Sequence, residues 1–184
     1  MDLELDSEAG TVELGRWLGA MLRGGDVLAL VGPLGAGKTT LVRAIAGAMG
    51  IDARLVSSPT FVIVNEYPGG DGPDLVHVDA YRLGSADELE TVGWDRVLHR
   101  ADAAVVVEWA DRIAESLPGS DRLGRVQIEA TGRTSRRVRL EIPSAWSDRA
   151  TRPLPARSCG CLTRRQNTEA PDDAQRTRRG DSMG

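Results

Sequence analysis

Gly32, Gly37, Lys38 and Thr39 carry the pattern Gly, four residues, Gly-Lys-Ser/Thr, with Pro33-Leu34-Gly35-Ala36 between them. Those residue types at that spacing suit one kind of chemistry, the holding of a phosphate chain. The glycines let the backbone curl so that successive N–H groups point inward at an anion. Residues Leu34, Gly35, Ala36, Gly37, Lys38, Thr39 and Thr40 are therefore the candidate phosphate cradle. Lys38 supplies a mobile point charge, and the Thr39 hydroxyl is placed to bind magnesium. The sequence spells only one lysine, Lys38, among its 23 basic residues. A chain that otherwise uses arginine keeps a compact ammonium where a phosphate needs one.

A cradle of this kind needs a strand before it and a helix after it. Val27-Leu28-Ala29-Leu30-Val31 is a continuous apolar run, as in a strand covered on both faces. Residues 41–49 then run on as a helix that ends at Gly50, and its positive dipole end faces the cradle. A second acid completes a magnesium site, and such acids stand at the end of an apolar strand beside the loop's own strand. Asp79 after Leu75-Val76-His77-Val78 and Glu108 after Val105-Val106-Val107 both have that placement. A strand-end carboxylate facing water is the ordinary alternative for either one. Magnesium takes one or two carboxylates together with phosphate oxygens and water. One acid can thus serve the metal and the other the attacking water, and spacing alone does not assign them.

The remaining elements position these groups. Ser7 is a helix N-cap ahead of Leu14, Leu18, Met21 and Leu22, with Gly24-Gly25 as the stop. Residues 61–67 and 75–79 read as two strands joined by the turn cluster 68–73, a hairpin that implies a mixed sheet. Ser85-Ala86-Asp87-Glu88 has the form of a capping box, with Trp94, Val97 and Leu98 continuing the apolar face. Residues 103–107 form a buried strand, Asp111 opens a helical turn, and residues 125–130 and 137–142 alternate as a closing hairpin. Thr60 lies between the loop helix and the second strand, where nucleotide hydrolases often place a γ-phosphate sensor. A plain strand-entry turn reads equally well there.

Composition narrows the class. At 184 residues with 41% hydrophobic and 27% charged content, one domain with an appendage is expected. No apolar run approaches the ~20 residues that cross a bilayer, and the acidic N-terminus lacks a signal-peptide layout. A cytoplasmic protein without a membrane partner is expected. The net charge is −4, with +3 on residues 151–184 and −7 before them. An acidic body argues against unaided, non-specific nucleic-acid binding. The expected boundary falls at Pro143: residues 1–143 as the nucleotide-binding domain, and 144–184 as a disordered arginine-rich tail. Cys159 and Cys161 are too few ligands for a structural zinc site.

Three kinds of nucleotide protein fit these features. A guanine-specific switch of the usual kind needs a second lysine in Asn-Lys-x-Asp, which the chain does not have. A small-molecule kinase of the phosphate-loop class has Arg82 and Arg112 to clamp a phosphoryl group. It also needs an arginine-rich lid, which the late strands do not provide. A nucleotide-loading module that turns over only within a complex suits a small domain with no obvious pocket for a second substrate.

The blocks Gly32-Pro-Leu-Gly-Ala-Gly-Lys-Thr-Thr40, Ser58-Pro-Thr-Phe61, Val64-Asn-Glu-Tyr67, His77-Val-Asp-Ala-Tyr-Arg-Leu83, Gly93-Trp-Asp95 and Glu108-Trp-Ala-Asp-Arg-Ile113, in this order, resemble the TsaE (YjeE) family. These are bacterial ATPases of the tRNA threonylcarbamoyladenosine pathway. The resemblance implies an α/β fold, a P-loop NTPase-like three-layer sandwich with a mixed central sheet. It implies ATP and Mg2+ as cofactors, TsaB and TsaD as partners, and tRNA reached only through that complex. In the family, TsaD transfers threonylcarbamoyl to an adenosine beside the anticodon, and ATP hydrolysis by TsaE is thought to reset the complex. Carried onto this sequence, Thr39 and Glu108 become the magnesium pair and Asp79 the catalytic acid, with Lys38 on the phosphates. Thr60 falls in a switch-like segment, and Trp109 matches a tryptophan beside the site that reads equally as core packing. Ser7 and Gly132 fall at base-proximal positions. Pro33 departs from the aspartate many members carry, Ala80 from the leucine. The tail after Pro143 matches nothing in the family.

Overall fold

In the computed structural model the described residues are 1–57, 64–83, 86–150, 154 and 162–164, the side chains of 86, 87 and 162–164 excepted. In chain order the elements begin with β1 (Asp2–Leu5), α1 (Glu8–Met21), β2 (Val27–Val31) and α2 (Lys38–Ala48). The hairpin β3 (Val64–Tyr67) and β4 (Asp74–Asp79) follows, then a 3-10 helix over Ala80–Arg82. Next come α3 (Ala86–Thr91), α4 (Trp94–Leu98), β5 (Ala103–Glu108) and a second 3-10 helix over Ala110–Ser116. The chain closes with β6 (Leu123–Ala130), β7 (Arg136–Glu141), α5 (Ser144–Ser147) and β8 (Leu162–Arg164).

The strands form one mixed sheet in the order β3-β4-β5-β2-β6-β7-β1-β8. The centre is parallel: β4 pairs with β5, β5 with β2, and β2 with β6. Antiparallel hairpins extend it on both sides, β3 on β4 and β7 on β6. Two-residue alternation sends side chains to two cores. Leu28, Leu30, Leu75, Val106, Val126 and Ile128 pack under α1 and α2, while Val27, Ala29, Val76, Val78 and Val105 pack under the short helices. That makes three layers, as expected. Each fully buried leucine contributes roughly 1.5–3 kcal/mol of apolar burial.

Two connections position the site. α1 starts where the Ser7 hydroxyl accepts from the Gly10 N–H at 3.3 Å, which caps an orphan donor of the first turn. The chain leaves β2 through Gly32 at φ 153°, where a Cβ would stand 2.1 Å from the Ile128 carbonyl oxygen. Only glycine lets the phosphate loop pass that close to β6.

The expected boundary at Pro143 falls too early. Trp146, on α5, is fully buried in the core under α1 and α2 and donates from its indole to Asp26 at 3.0 Å. Arg149 pairs with the same carboxylate, and Ala150 and Leu154 pack against the core. Four to seven residues give no readable helical period, so a single buried tryptophan carried this signal. Beyond them β8 lies antiparallel on the outer edge of β1. β1 was itself not apparent from the sequence, although Leu3 and Leu5 alternate inward. The Cys159 and Cys161 pair lies outside the described residues, as do Ser85 and Thr60.

Candidate functional site

Gly37 is the N-cap of α2 and takes φ 108°, a left-handed conformation open to glycine at little cost. The N–H groups of Lys38, Thr39 and Thr40 come next, at the start of the helix where no intrahelical acceptor exists, and Leu41 is the first to donate back, to Gly37. Three successive donors at the positive end of a helix dipole make an anion site. A Cβ on Gly35 would meet no atom within 4 Å, so the loop leaves open space above it. That space belongs to a cleft of about 490 Å³, lined by Leu34, Gly35, Gly37, Lys38, Thr39 and Thr40 on the loop side. Ala36 does not join them. It is buried, and its N–H is bonded to the Pro33 carbonyl at 3.2 Å.

The two acids arrive together by register. β4 and β5 are adjacent and parallel, with Asp79 opposite Glu108 and His77 opposite Val106. Positions two apart share a face, so His77, Asp79 and Glu108 all lie on the α2 side of the sheet. There the Thr39 hydroxyl donates to Glu108, 2.9 Å to Oε1 and 3.2 Å to Oε2. This contact joins the start of α2 to the end of β5 across 69 residues. His77 Nε2 lies 3.0 Å from the same Oε1. Asp79 accepts from the Tyr81 N–H at 2.9 Å, which caps the first 3-10 helix, and also lines the cleft.

Trp109 is the only non-glycine among the described residues with positive φ, at 58°. A bulky residue in that region costs roughly 1–3 kcal/mol, and such strain gathers at functional sites. The turn lays the indole over Lys38, with Nζ 3.8 Å from a ring centroid, and sets it 4.9 Å from the Tyr81 ring. The Arg112 guanidinium stands over the Tyr81 ring, 5.0 Å from its centroid. Lys38 Nζ also donates to the Gly32 and Pro33 carbonyls at 2.7 and 3.0 Å. Burial pushes the Lys38 ammonium below its ordinary value, while Glu108, Asp79 and Asp111 pull it back up.

Leu34, Gly35, Gly37, Lys38, Thr39, Thr40, Asp79, Glu108 and Trp109 thus meet around one cleft. Ser7 and Gly132 stand one step outside it: their neighbours Glu8, Thr11, Arg133 and Thr134 supply the lining instead. Ser7 is occupied as the α1 cap, and the Gly132 carbonyl accepts from Arg136 at 3.3 Å. Thr60 is outside the described residues. Arg136 was not apparent from the sequence. It lines the cleft and donates from Nε to the Ala36 carbonyl at 2.7 Å, fastening the β6–β7 turn to the phosphate loop. Its signal is a tertiary contact 100 residues long, and no local pattern carries that. His77 was legible only as part of a motif, because its partner depends on strand order.

The chain matches the family model described as "Threonylcarbamoyl adenosine biosynthesis protein TsaE" over residues 5–138. It is 50% identical over 130 residues to the tRNA threonylcarbamoyladenosine biosynthesis protein TsaE of Streptomyces coelicolor, covering 69% of this chain and 84% of that one. The protein of the same name from Mycobacterium tuberculosis is 44% identical over 145 residues, covering 74% and 80%. Among solved structures, Bacillus subtilis YdiB superposes with a TM-score of 0.62 at 28% identity, covering 81% of this chain and 90% of that one. The matched span runs from the end of β1 through the phosphate loop, both strand-end acids and the β6–β7 turn, and so this chain belongs to the TsaE family.

Proposed function

We propose that this chain is a magnesium-dependent P-loop ATPase that supports threonylcarbamoylation of the tRNA adenosine beside the anticodon, acting in a cytoplasmic complex with TsaB and TsaD. The observation that carries the reading is the Thr39–Glu108 contact, set against three helix-start N–H groups with no intrahelical acceptor. It brings a hydroxyl and a carboxylate together where a phosphate-bound cation would sit.

The residues present fit the two cofactors. The cleft volume lies in the usual range for a bound small molecule. Lys38, Arg82, Arg133 and Arg136 line it together with Glu8, Asp79 and Glu108, so cations for a triphosphate and carboxylates for a metal face the same space. No group of three or more His, Cys, Asp or Glu among the described residues makes a dedicated metal cage. Magnesium does not need one, because it is held by one or two protein oxygens plus phosphate and water. When bound, it neutralises charge developing on the phosphates. The helix-start N–H groups hold the phosphate oxygens, Lys38 adds its ammonium, and Thr39 with Glu108 holds the metal. Asp79 is then the carboxylate left to orient the attacking water. The relatives' shared name supplies the pathway, and the family resemblance supplies TsaB and TsaD.

The test is ATP hydrolysis with and without TsaB and TsaD, scored alongside tRNA modification. Slow turnover alone and stimulation by the partners is the expected result. Lys38→Ala and Glu108→Ala should abolish turnover with circular dichroism unchanged. Rapid turnover indifferent to the partners, or labelled γ-phosphate appearing on a metabolite, would refute the reading.

A further inference from the structure

His77 is wholly buried, yet no part of the chemistry above uses it. Its Nε2 lies 3.0 Å from Glu108 Oε1, the oxygen that also accepts from Thr39 at 2.9 Å. Its Nδ1 is buried with no hydrogen-bond partner among the described residues. A buried polar atom left in that state calls for an explanation.

The hydrogen-bond inventory supplies one. A carboxylate only accepts, so the bond to Glu108 needs a hydrogen on Nε2. Nδ1 has no acceptor, and a buried orphan N–H is rarer than an unpaired acceptor. The arrangement with fewest unmet groups is therefore the tautomer with hydrogen on Nε2 and a lone pair on Nδ1. In that form His77 is a fixed single donor aimed at one carboxylate oxygen. Because β4 and β5 are paired His77 to Val106, the imidazole reaches Glu108 diagonally, from two positions deeper in the sheet. Glu108 is then gripped from two sides, by Thr39 from α2 and by His77 from β4.

We propose that His77 is a positioning residue that fixes the Glu108 carboxylate for magnesium, a role that rests on the ATPase reading. By donating to Oε1 it sets the carboxylate's rotation before the metal arrives. Partners that orient a ligating group typically change metal affinity 10- to 100-fold when removed.

The experiment measures binding rather than turnover. A fluorescent ATP analogue is titrated into the native protein, His77→Met and His77→Gln, in EDTA and across a magnesium series. The expected result is equal affinity in EDTA, a magnesium midpoint raised about 10-fold or more in His77→Met, and recovery in His77→Gln, whose amide restores a donor. A His77→Met midpoint equal to that of the native protein would overturn the proposal while leaving the ATPase reading intact. Native protein whose nucleotide binding ignores magnesium would overturn both. Nitrogen NMR of the native imidazole decides the matter even where His77→Met does not fold. A proton on Nε2 supports the proposal, and an Nε2 without a proton refutes it.

Discussion

On one face of the sheet, helices of 14 and 11 residues lie in such close contact that a Cβ on Gly15 would stand 2.5 Å from that of Ala44. On the other face no helical segment among the described residues exceeds seven residues. The difference separates two jobs. The long pair holds one backbone feature, the start of α2, by packing along its whole length. Two of the short segments begin at a strand end and place single side chains, Tyr81 after β4 and Trp109 and Arg112 after β5, while Asp79 and Glu108 stay on the α2 face. Damage to the packing between the long helices should appear as lost stability, and damage to the side chains of the short segments as altered nucleotide handling.

Four substitutions test that division, in falling order of effect. Trp146→Ala, on the long-helix face, should cost about 3–5 kcal/mol in denaturant unfolding, with nucleotide affinity of the folded fraction unchanged. Ending the chain at residue 143 should cost at least as much, and an unchanged midpoint would restore the boundary expected from the sequence. Gly15→Leu drives a side chain into α2 and should cost about 1–3 kcal/mol by the same measurement. A neutral result would mean that the helix pair is not the rigid half. Tyr81→Ala removes a half-exposed ring tilted against Trp109 and should cost no more than about 0.5–1.5 kcal/mol. Its main readout should be weaker nucleotide binding by fluorescence. A large stability loss with normal binding would erase the distinction between the faces. Arg100→Ala is the baseline. Its ion pairs with Asp102, Asp74 and Glu66 raise its own pKa, yet Asp102 and Glu66 are largely in water. Less than about 1 kcal/mol is expected, shrinking further in high salt.

The same division explains what could be read from the residues alone. α1 and α2 announce themselves through Ser7, the Leu14–Leu18–Met21 spacing and the glycines that end them. β2 and β5 are continuous apolar runs, and the phosphate loop is a dense local motif. The face of short helices was legible only in part, through the Ser85 capping-box form and the Trp94, Val97 and Leu98 spacing, since three to seven residues complete little more than two turns. Asp79 and Glu108 were visible as strand ends, but their adjacency needed the order β4-β5-β2. Arg136 and His77 act through contacts 100 and 31 residues apart in sequence. Trp146 lay in a polar, proline-bounded stretch whose composition argued against a core. Ala36 fell within the motif by spacing, while the turn bonds its N–H to the Pro33 carbonyl.

The single buried lysine has a practical consequence. Besides the chain's own α-amine, which donates to the Leu140 carbonyl at 2.9 Å, Lys38 is the only primary amine in the sequence. It lies beneath an indole, and its lowered pKa leaves more free base than an ordinary lysine has. An amine-selective acylating reagent therefore has one side-chain amine to react with, and that amine lies in the phosphate loop. The extent of acylation, read by mass spectrometry, becomes a direct count of loops left open by nucleotide, with no engineered label required.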